Sequence, residues 1–180
     1  MRGAAGVGVA ALAAALLSGC NPTADNDSSA VSITAVFQGS DDVVGIFSDV
    51  VNDDGTVSDD FFDITVESIP KAGTDPGDFY TVEFEGVQIV YTRPDGKNEP
   101  GVDVPFPLTY ALGGFVEPGG DTDINTLVVS KEMKLQPPLR NLWFSNQRIF
   151  ATVNLRIFGH DRVENSVSAD ASAVVLFEDI

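Results

Sequence analysis

Residue types that commonly carry cross-links or catalysis are scarce in this 180-residue sequence. It has one Cys and one His, and its 10 Lys and Arg are outnumbered by 27 Asp and Glu. A single Cys cannot form an intramolecular disulfide, and a single His makes any zinc site depend on carboxylates. The net charge of −17 repels nucleic acid and anionic lipid headgroups, so we exclude both as ligands of the folded part.

Basic residues are missing altogether from one long stretch. Residues 25–63 contain ten Asp and no Glu, Lys or Arg, whereas residues 131–180 contain six acidic and six basic residues. This bias predicts one face or end rich in carboxylates. We interpret it as a solvated acidic surface, and the alternative is a site for a cation.

Calcium is the cation that an Asp-rich turn would suit, because hard cations need only convergent oxygen ligands. The segment does not fit an EF-hand, since Gly55 at loop position six puts Val50 and Phe61 at the two essential carboxylate positions. A calcium site of another kind stays open, and its candidate ligands are Asp53, Asp54, Asp59 and Asp60.

Catalytic motifs are also lacking. The sequence has no Gly-x-Ser-x-Gly, and a serine triad would need His160, which its Gly-His-Asp context predicts to be an exposed loop residue. Two carboxylates would suffice for glycoside hydrolysis, but 27 acidic residues neither exclude nor support that chemistry. We expect Trp143, Phe144 and Phe150 to be core residues and not a sugar-binding platform.

What is present begins at the N-terminus. After Met1-Arg2, residues 4–17 are almost wholly Ala, Val, Leu and Gly, and they lead to Leu17-Ser18-Gly19-Cys20. The apolar run is too short to span a bilayer as a helix and is typical of a signal peptide. The four residues resemble the lipobox of bacterial lipoproteins. That resemblance implies cleavage after residue 19 and lipidation of Cys20, and Asn21 in place of Asp favours the outer over the inner membrane.

The remaining chain divides into a tether and one domain. Residues 20–30 are polar after Cys20 and predict a flexible tether, and residues 31–180 are long enough for a single domain with its own core. That domain contains short segments of alternating apolar residues separated by turns rich in Gly, Pro and Asp. We also expect residues 108–116 to pair with 124–130 across a turn at 117–120. The pattern predicts an all-β fold, a single antiparallel β-sandwich.

The last hairpin resembles those of immunoglobulin-like and fibronectin-III-like bacterial surface domains. Residues 151–158 alternate, a turn follows at Asp161-Arg-Val-Glu-Asn165, and a final strand includes residues 174–177. In that family the turn is often Asp-x-x-Gly-Asn, and here Glu164 stands in the Gly position. The resemblance implies an Ig-like architecture and not an activity.

These observations predict a lipid-anchored protein of the bacterial cell envelope, with no enzyme activity and no required cofactor. It would bind or scaffold an envelope protein or glycan, and its membrane contact would be the lipid on Cys20. The alternative is a calcium-dependent adhesion or carbohydrate-binding module. The third hypothesis is an envelope hydrolase.

Overall fold

Alternating apolar residues form nine β-strands in the computed structural model, which describes residues 28–38 and 45–179. The helical elements are the four-residue helix α1 (Lys131–Lys134) and two 3-10 turns (Asp78–Tyr80 and Leu139–Leu142). The strands are β1 (Val31–Phe37), β2 (Gly45–Asp49), β3 (Asp60–Pro70), β4 (Val82–Thr92), β5 (Leu108–Ala111), β6 (Phe115–Val116), β7 (Asp121–Val129), β8 (Ile149–Asp161) and β9 (Ser166–Glu178).

The strands form two sheets, which confirms the all-β prediction. The small sheet has the order β1-β3-β7, and the large sheet has the order β2-β9-β8-β4-β5, with β6 also paired to β4. The inward side chains of both sheets form one apolar cluster, in which Tyr91 and Phe177 pack edge to face at 6.1 Å. The Tyr91 hydroxyl donates a hydrogen bond to the Val128 carbonyl, and so joins β4 to β7 across this core.

Two expectations about pairing are wrong. The sheets are not purely antiparallel, because β2 pairs with β9 in parallel, from Gly45 opposite Val174 to Asp49 opposite Glu178. The segment 108–116 does not pair with 124–130 either, because β5 and β6 pair with β4 while β7 pairs with β3. The turn at 117–120 instead carries the chain between sheets, where Gly119 and Gly120 bond to the backbone of Ser68.

β4 contains a bulge near its N-terminal end. The register of β4 against β8 shifts between Phe84 and Gly86. Opposite this shift, a Cβ on Gly159 would lie 2.0 Å from the Glu83 carbonyl oxygen, so only glycine allows the two backbones to approach this closely. Over the residues described, no helix is long and apolar enough to cross a membrane.

Candidate functional site

The four candidate calcium ligands lie around the connection from β2 to β3, but they point to different partners. Asp54 accepts hydrogen bonds from the backbone and hydroxyl of Thr56, which hold the pKa of its carboxyl below the usual value. Asp59 accepts the Lys131 backbone N–H at 2.7 Å. Asp53 is exposed in the turn. Across residues 28–38 and 45–179 no three acidic or His side chains converge as a metal site would require.

Asp60 belongs to a buried ionic cluster that ties three elements together. The Lys134 side chain is 1% exposed, and its Nζ donates at 2.7 Å to both Asp60 Oδ1 and the Asp49 carbonyl oxygen. The Ser48 hydroxyl donates to Asp60 Oδ2 at 2.6 Å. The Lys134 ammonium therefore supplies the positive charge that Asp60 needs, and it fastens α1 to β2 and to the start of β3.

His160 is not in an exposed loop, as its sequence context suggested. It lies in β8 opposite Ser166, and it is partly buried. Its Nε2 is 3.5 Å from Glu85 Oε1, and its Nδ1 is 3.2 Å from the Asp161 carbonyl oxygen. β8 continues through Gly159 and His160 to Asp161, so His160 is a strand residue and not a loop residue.

An apolar row crosses the outer face of the large sheet. Phe47 on β2 is 65% exposed and lies opposite Leu176 on β9, and Leu176 lies opposite Phe150 on β8, which is 50% exposed. Val174, also exposed, is two positions along β9 on the same face. We call Phe47, Phe150, Val174 and Leu176 the apolar row. Exposed apolar residues that are contiguous on a folded surface commonly mark an interaction site.

Phe144 is a third exposed aromatic residue at the same end of the sheet, beside Phe47 and Phe150 of the apolar row. Phe144 is 81% exposed. Its backbone has a φ of +54°, a conformation that non-glycine residues rarely adopt. Its N–H donates to the Asp179 carboxylate just beyond β9, and its ring packs edge to face on Trp143, over which the Arg140 guanidinium stacks at 3.4 Å. This end of the molecule is called the Phe144 end below.

The prediction that Trp143, Phe144 and Phe150 are core residues was therefore wrong for two of the three. Phe144 and Phe150 are exposed, and only Trp143 packs against the core. The alternation in β8 could have indicated the outward position of Phe150, since Ile149 and Ala151 on either side are buried.

A polar depression adjoins the apolar row on the same outer face. Arg156 and Asp170 form a two-point ion pair across β8 and β9, with distances of 2.7 and 3.0 Å, and the guanidinium holds the pKa of the Asp170 carboxyl below its usual value. The side-chain amide of Asn154 donates to the Thr92 hydroxyl at 3.0 Å. Gln88 and Ser172 complete the lining of this open depression.

The chain enters the domain at the opposite end. Ser29, assigned by sequence to the tether, is 2% exposed, and its hydroxyl accepts the Val31 N–H and bonds to the Asp161 carboxylate in the β8–β9 turn. The Ala30 carbonyl accepts the Lys71 N–H at 2.9 Å. Residues 29 and 30 are thus part of the packed domain. Cys20 and the signal-peptide prediction lie outside the described residues.

Comparison with known proteins gives no family. No protein-family model matches the chain, and no curated protein matches its sequence. Among solved structures, the chain is similar to a Northeast Structural Genomics Consortium target solved by X-ray crystallography, with 9% identity, a TM-score of 0.37 and coverage of 82% of this chain and 84% of that one. It is also similar to a putative late embryogenesis abundant protein solved in solution, with 11% identity, a TM-score of 0.43 and coverage of 81% and 70%. These scores are too low to support a functional argument.

Proposed function

We propose that this protein is a lipid-anchored bacterial envelope protein whose Ig-like sandwich binds another envelope protein and catalyses no reaction. The lipobox at residues 17–20 supports the anchor, and Asn21 favours the outer membrane. The two sheets around a single core and the Asp161–Asn165 turn support the Ig-like architecture. The observation that carries the binding role is the exposed apolar row together with Phe144.

The placement of these features suits an anchored binding protein. The Ser29 end, where the chain enters, contains the β8–β9 turn, and the apolar row lies near the other end of the same two strands. β8 has 13 residues, which corresponds to about 40 Å of extended chain. If the protein is attached to a membrane through residue 20, the Phe144 end would lie away from the bilayer and be accessible to a partner.

The chemistry of the Phe144 end favours a protein partner. Aromatic residues and Arg are enriched in protein interfaces, and Trp, Tyr and Arg dominate their binding energy. The Phe144 end contains exposed Phe side chains, a Trp and two Arg. Arg148, which pairs with Glu178 at 3.4 Å, and Arg140 both lie at this end. The partner's complementary surface would combine apolar side chains with carboxylates.

A glycan ligand is the second candidate, and the polar depression favours it. Asn154, Gln88 and the Arg156–Asp170 pair present planar hydrogen-bonding groups suited to sugar hydroxyls. Phe150, which could stack on a sugar face, lies four residues from Asn154 along β8 on the same face. No comparable arrangement of oxygen ligands supports the calcium-dependent form of this alternative among the residues that the structure describes.

A cross-linking experiment in cells tests the proposal. A photoreactive amino acid at position 150 is expected to give a discrete covalent adduct with one envelope protein, and the same group at the exposed position Thr34 on the small sheet should not. The adduct should disappear when Phe47→Ser is added, since Phe47 lies two strands away on the same row. Cys20→Ala should move the protein out of the membrane fraction.

Two results would count against this function. Equal cross-linking at positions 34 and 150 would remove the apolar row as a binding surface. If the Phe47→Ser change had no effect but Asn154→Ala abolished co-sedimentation with insoluble envelope polysaccharide, the ligand would be a glycan instead. Membrane retention of the Cys20→Ala protein would refute lipidation at that residue.

A further inference from the structure

The Ser29 end exposes a second group of apolar side chains, separate from the apolar row. Phe79 is 71% exposed beside the start of β4, Phe115 on β6 is 55% exposed, and Val163 in the β8–β9 turn is 47% exposed. We call these three residues the apolar tips. These side chains are exposed to solvent and do not contribute to the buried core. Exposed apolar groups of this kind commonly mark an interaction site.

Strand pairing places the apolar tips at one end of the molecule. Val82, the first residue of β4, pairs with Val116 on one side and with Asp161 on the other. Phe79 precedes Val82 by three residues, Phe115 precedes Val116, and Val163 follows Asp161 by two. Asp161 is also the residue that binds Ser29, so the tips lie at the end of the molecule where the chain enters the domain.

The chain that precedes this point limits how far the Ser29 end can lie from a lipid on Cys20. Residues 21–28 form a connection of eight residues, which spans at most about 29 Å when fully extended. The apolar row lies a further ten residues or so along β8, about 35 Å away. The tips are therefore among the exposed apolar groups that the anchor would hold nearest to the bilayer.

Charge at this end restricts the kind of bilayer surface. Asp75, Asp78, Glu117 and Glu164 lie in the same group of loops, and Arg162 is paired with Glu83 at 3.3 Å. Anionic headgroups would be repelled by these carboxylates, whereas a zwitterionic surface would not. Aromatic and aliphatic side chains that surround a lipid anchor can bury part of their surface at the boundary between headgroups and acyl chains.

We propose that the apolar tips Phe79, Phe115 and Val163 contact the zwitterionic surface of the membrane to which the protein is anchored, and so fix the orientation of the domain on the bilayer. This inference rests on the proposed lipid anchor at Cys20. The Ser29 end then faces the lipid, and the apolar row faces away from it. The contact supplies orientation, while the acyl chains supply the attachment.

The single Cys of the chain makes a direct test possible. In the lipidated protein the Cys20 sulfur is alkylated, so a Phe79→Cys substitution provides one thiol for an environment-sensitive fluorophore. Phe144→Cys is the matched control, because position 144 is also highly exposed, at 81% against 71% for position 79, but lies at the opposite end. Phe115→Cys is a second reporter at the Ser29 end. The full lipidated protein is reconstituted into phosphatidylcholine vesicles with and without a nitroxide on the upper acyl chain.

The expected result is at least twofold stronger nitroxide quenching of the fluorophore at positions 79 and 115 than at position 144. Replacing half of the phosphatidylcholine with an anionic lipid should reduce this difference. Vesicle-bound protein with equal quenching at all three positions would overturn the orientation but leave the anchor intact. Thiol labelling of the unsubstituted chain, or failure to bind vesicles, would instead overturn the proposed anchor.

Discussion

Removing the Asp161 carboxylate should destabilise the domain strongly, because this group organises the β8–β9 turn from a fully buried position. Its side chain accepts the backbone N–H groups of Val163 and Asn165 at 3.0 and 2.9 Å and the Asn165 side-chain amide at 2.8 Å. It also bonds to the Ser29 hydroxyl. Asp161→Ala leaves these donors without an acceptor in a buried site.

The expected loss of stability can be estimated from the hydrogen bonds that these donors make to Asp161. Each hydrogen bond to a charged group contributes about 1.5–3 kcal/mol, and a buried donor left without a partner costs about 1–3 kcal/mol. Since the effects of one network are not additive, we expect Asp161→Ala to lower the free energy of unfolding by about 3–5 kcal/mol, or the melting temperature by roughly 10 °C. Asp161→Asn should cost less, because it keeps one acceptor oxygen but places an amide group against that of Asn165.

The pH dependence has a definite sign. Burial alone would raise the pKa of Asp161, but the hydrogen bonds from Asn165, Ser29 and Val163 outweigh burial and hold the pKa below its usual value. The folded protein therefore favours the ionised form more than the unfolded chain does. Its contribution is complete above the unfolded pKa of about 3.9 and is lost as the pH falls through the folded value.

Urea unfolding of residues 21–180 at pH 7, 5 and 3 measures both effects. The difference between the parent and Asp161→Asn should be constant from pH 7 to pH 5 and should shrink at pH 3. Asp75→Ala, which removes an exposed carboxylate from a nearby loop, is the control and should change stability by less than about 0.5 kcal/mol. The reasoning is refuted if Asp161→Ala behaves like this control, or if the difference grows as the pH falls.

Three further predictions concern other parts of the domain. Lys134→Met should cost about 3 kcal/mol in urea unfolding because it leaves the partly buried Asp60 carboxylate without its cation, and Asp60→Asn added to it should recover part of that loss. Glu164→Gly should raise stability by about 0.5–1 kcal/mol, since Glu164 has a φ of +67°, whereas Glu117→Gly should lower it in the same assay. Millimolar calcium should leave the melting temperature unchanged, and a rise of several degrees would establish a cation site.

Strands were predictable where a segment buries alternate residues, as the long strands do over most of their length. β1 buries every second residue from Val31 to Phe37, and the segment 151–158, whose alternation the sequence shows, buries every second residue in β8. The turn between β8 and β9 was also readable from sequence. Glu164, which stands where the related pattern has Gly, has the positive φ that explains the Gly preference at that position.

Sheet membership was not predictable, because alternation shows that a segment is a strand but not which strand it pairs with. β7 follows β6 after a four-residue turn, and a local hairpin was the simplest expectation. β7 instead pairs with β3 over most of its length, a contact between residues about 60 positions apart. The parallel pairing of β2 with β9 joins segments even further apart in the sequence.

The ionic cluster was missed for the same reason. Lys134 and Asp60 are 74 residues apart, and nothing in the Lys131–Lys134 segment distinguishes the buried Lys134 from an exposed lysine. From the sequence, Asp60 was interpreted as part of a solvated acidic surface or as a calcium ligand. The ion pair with Lys134 neutralises this carboxylate within the chain. Asp60 is therefore less available as a ligand for a cation.

The charge bias of the sequence has a counterpart in the two outer faces. The outer face of the small sheet carries Asp63, Glu67, Asp121 and Asp123, while Arg156 lies on the outer face of the large sheet and Arg140 and Arg148 lie at the Phe144 end. A partner that contains carboxylates would be repelled by the first surface and accepted by the second. Under the proposed function, the acidic face would contribute to specificity by repulsion, because it would leave the outer face of the large sheet as the surface on which such a partner could dock.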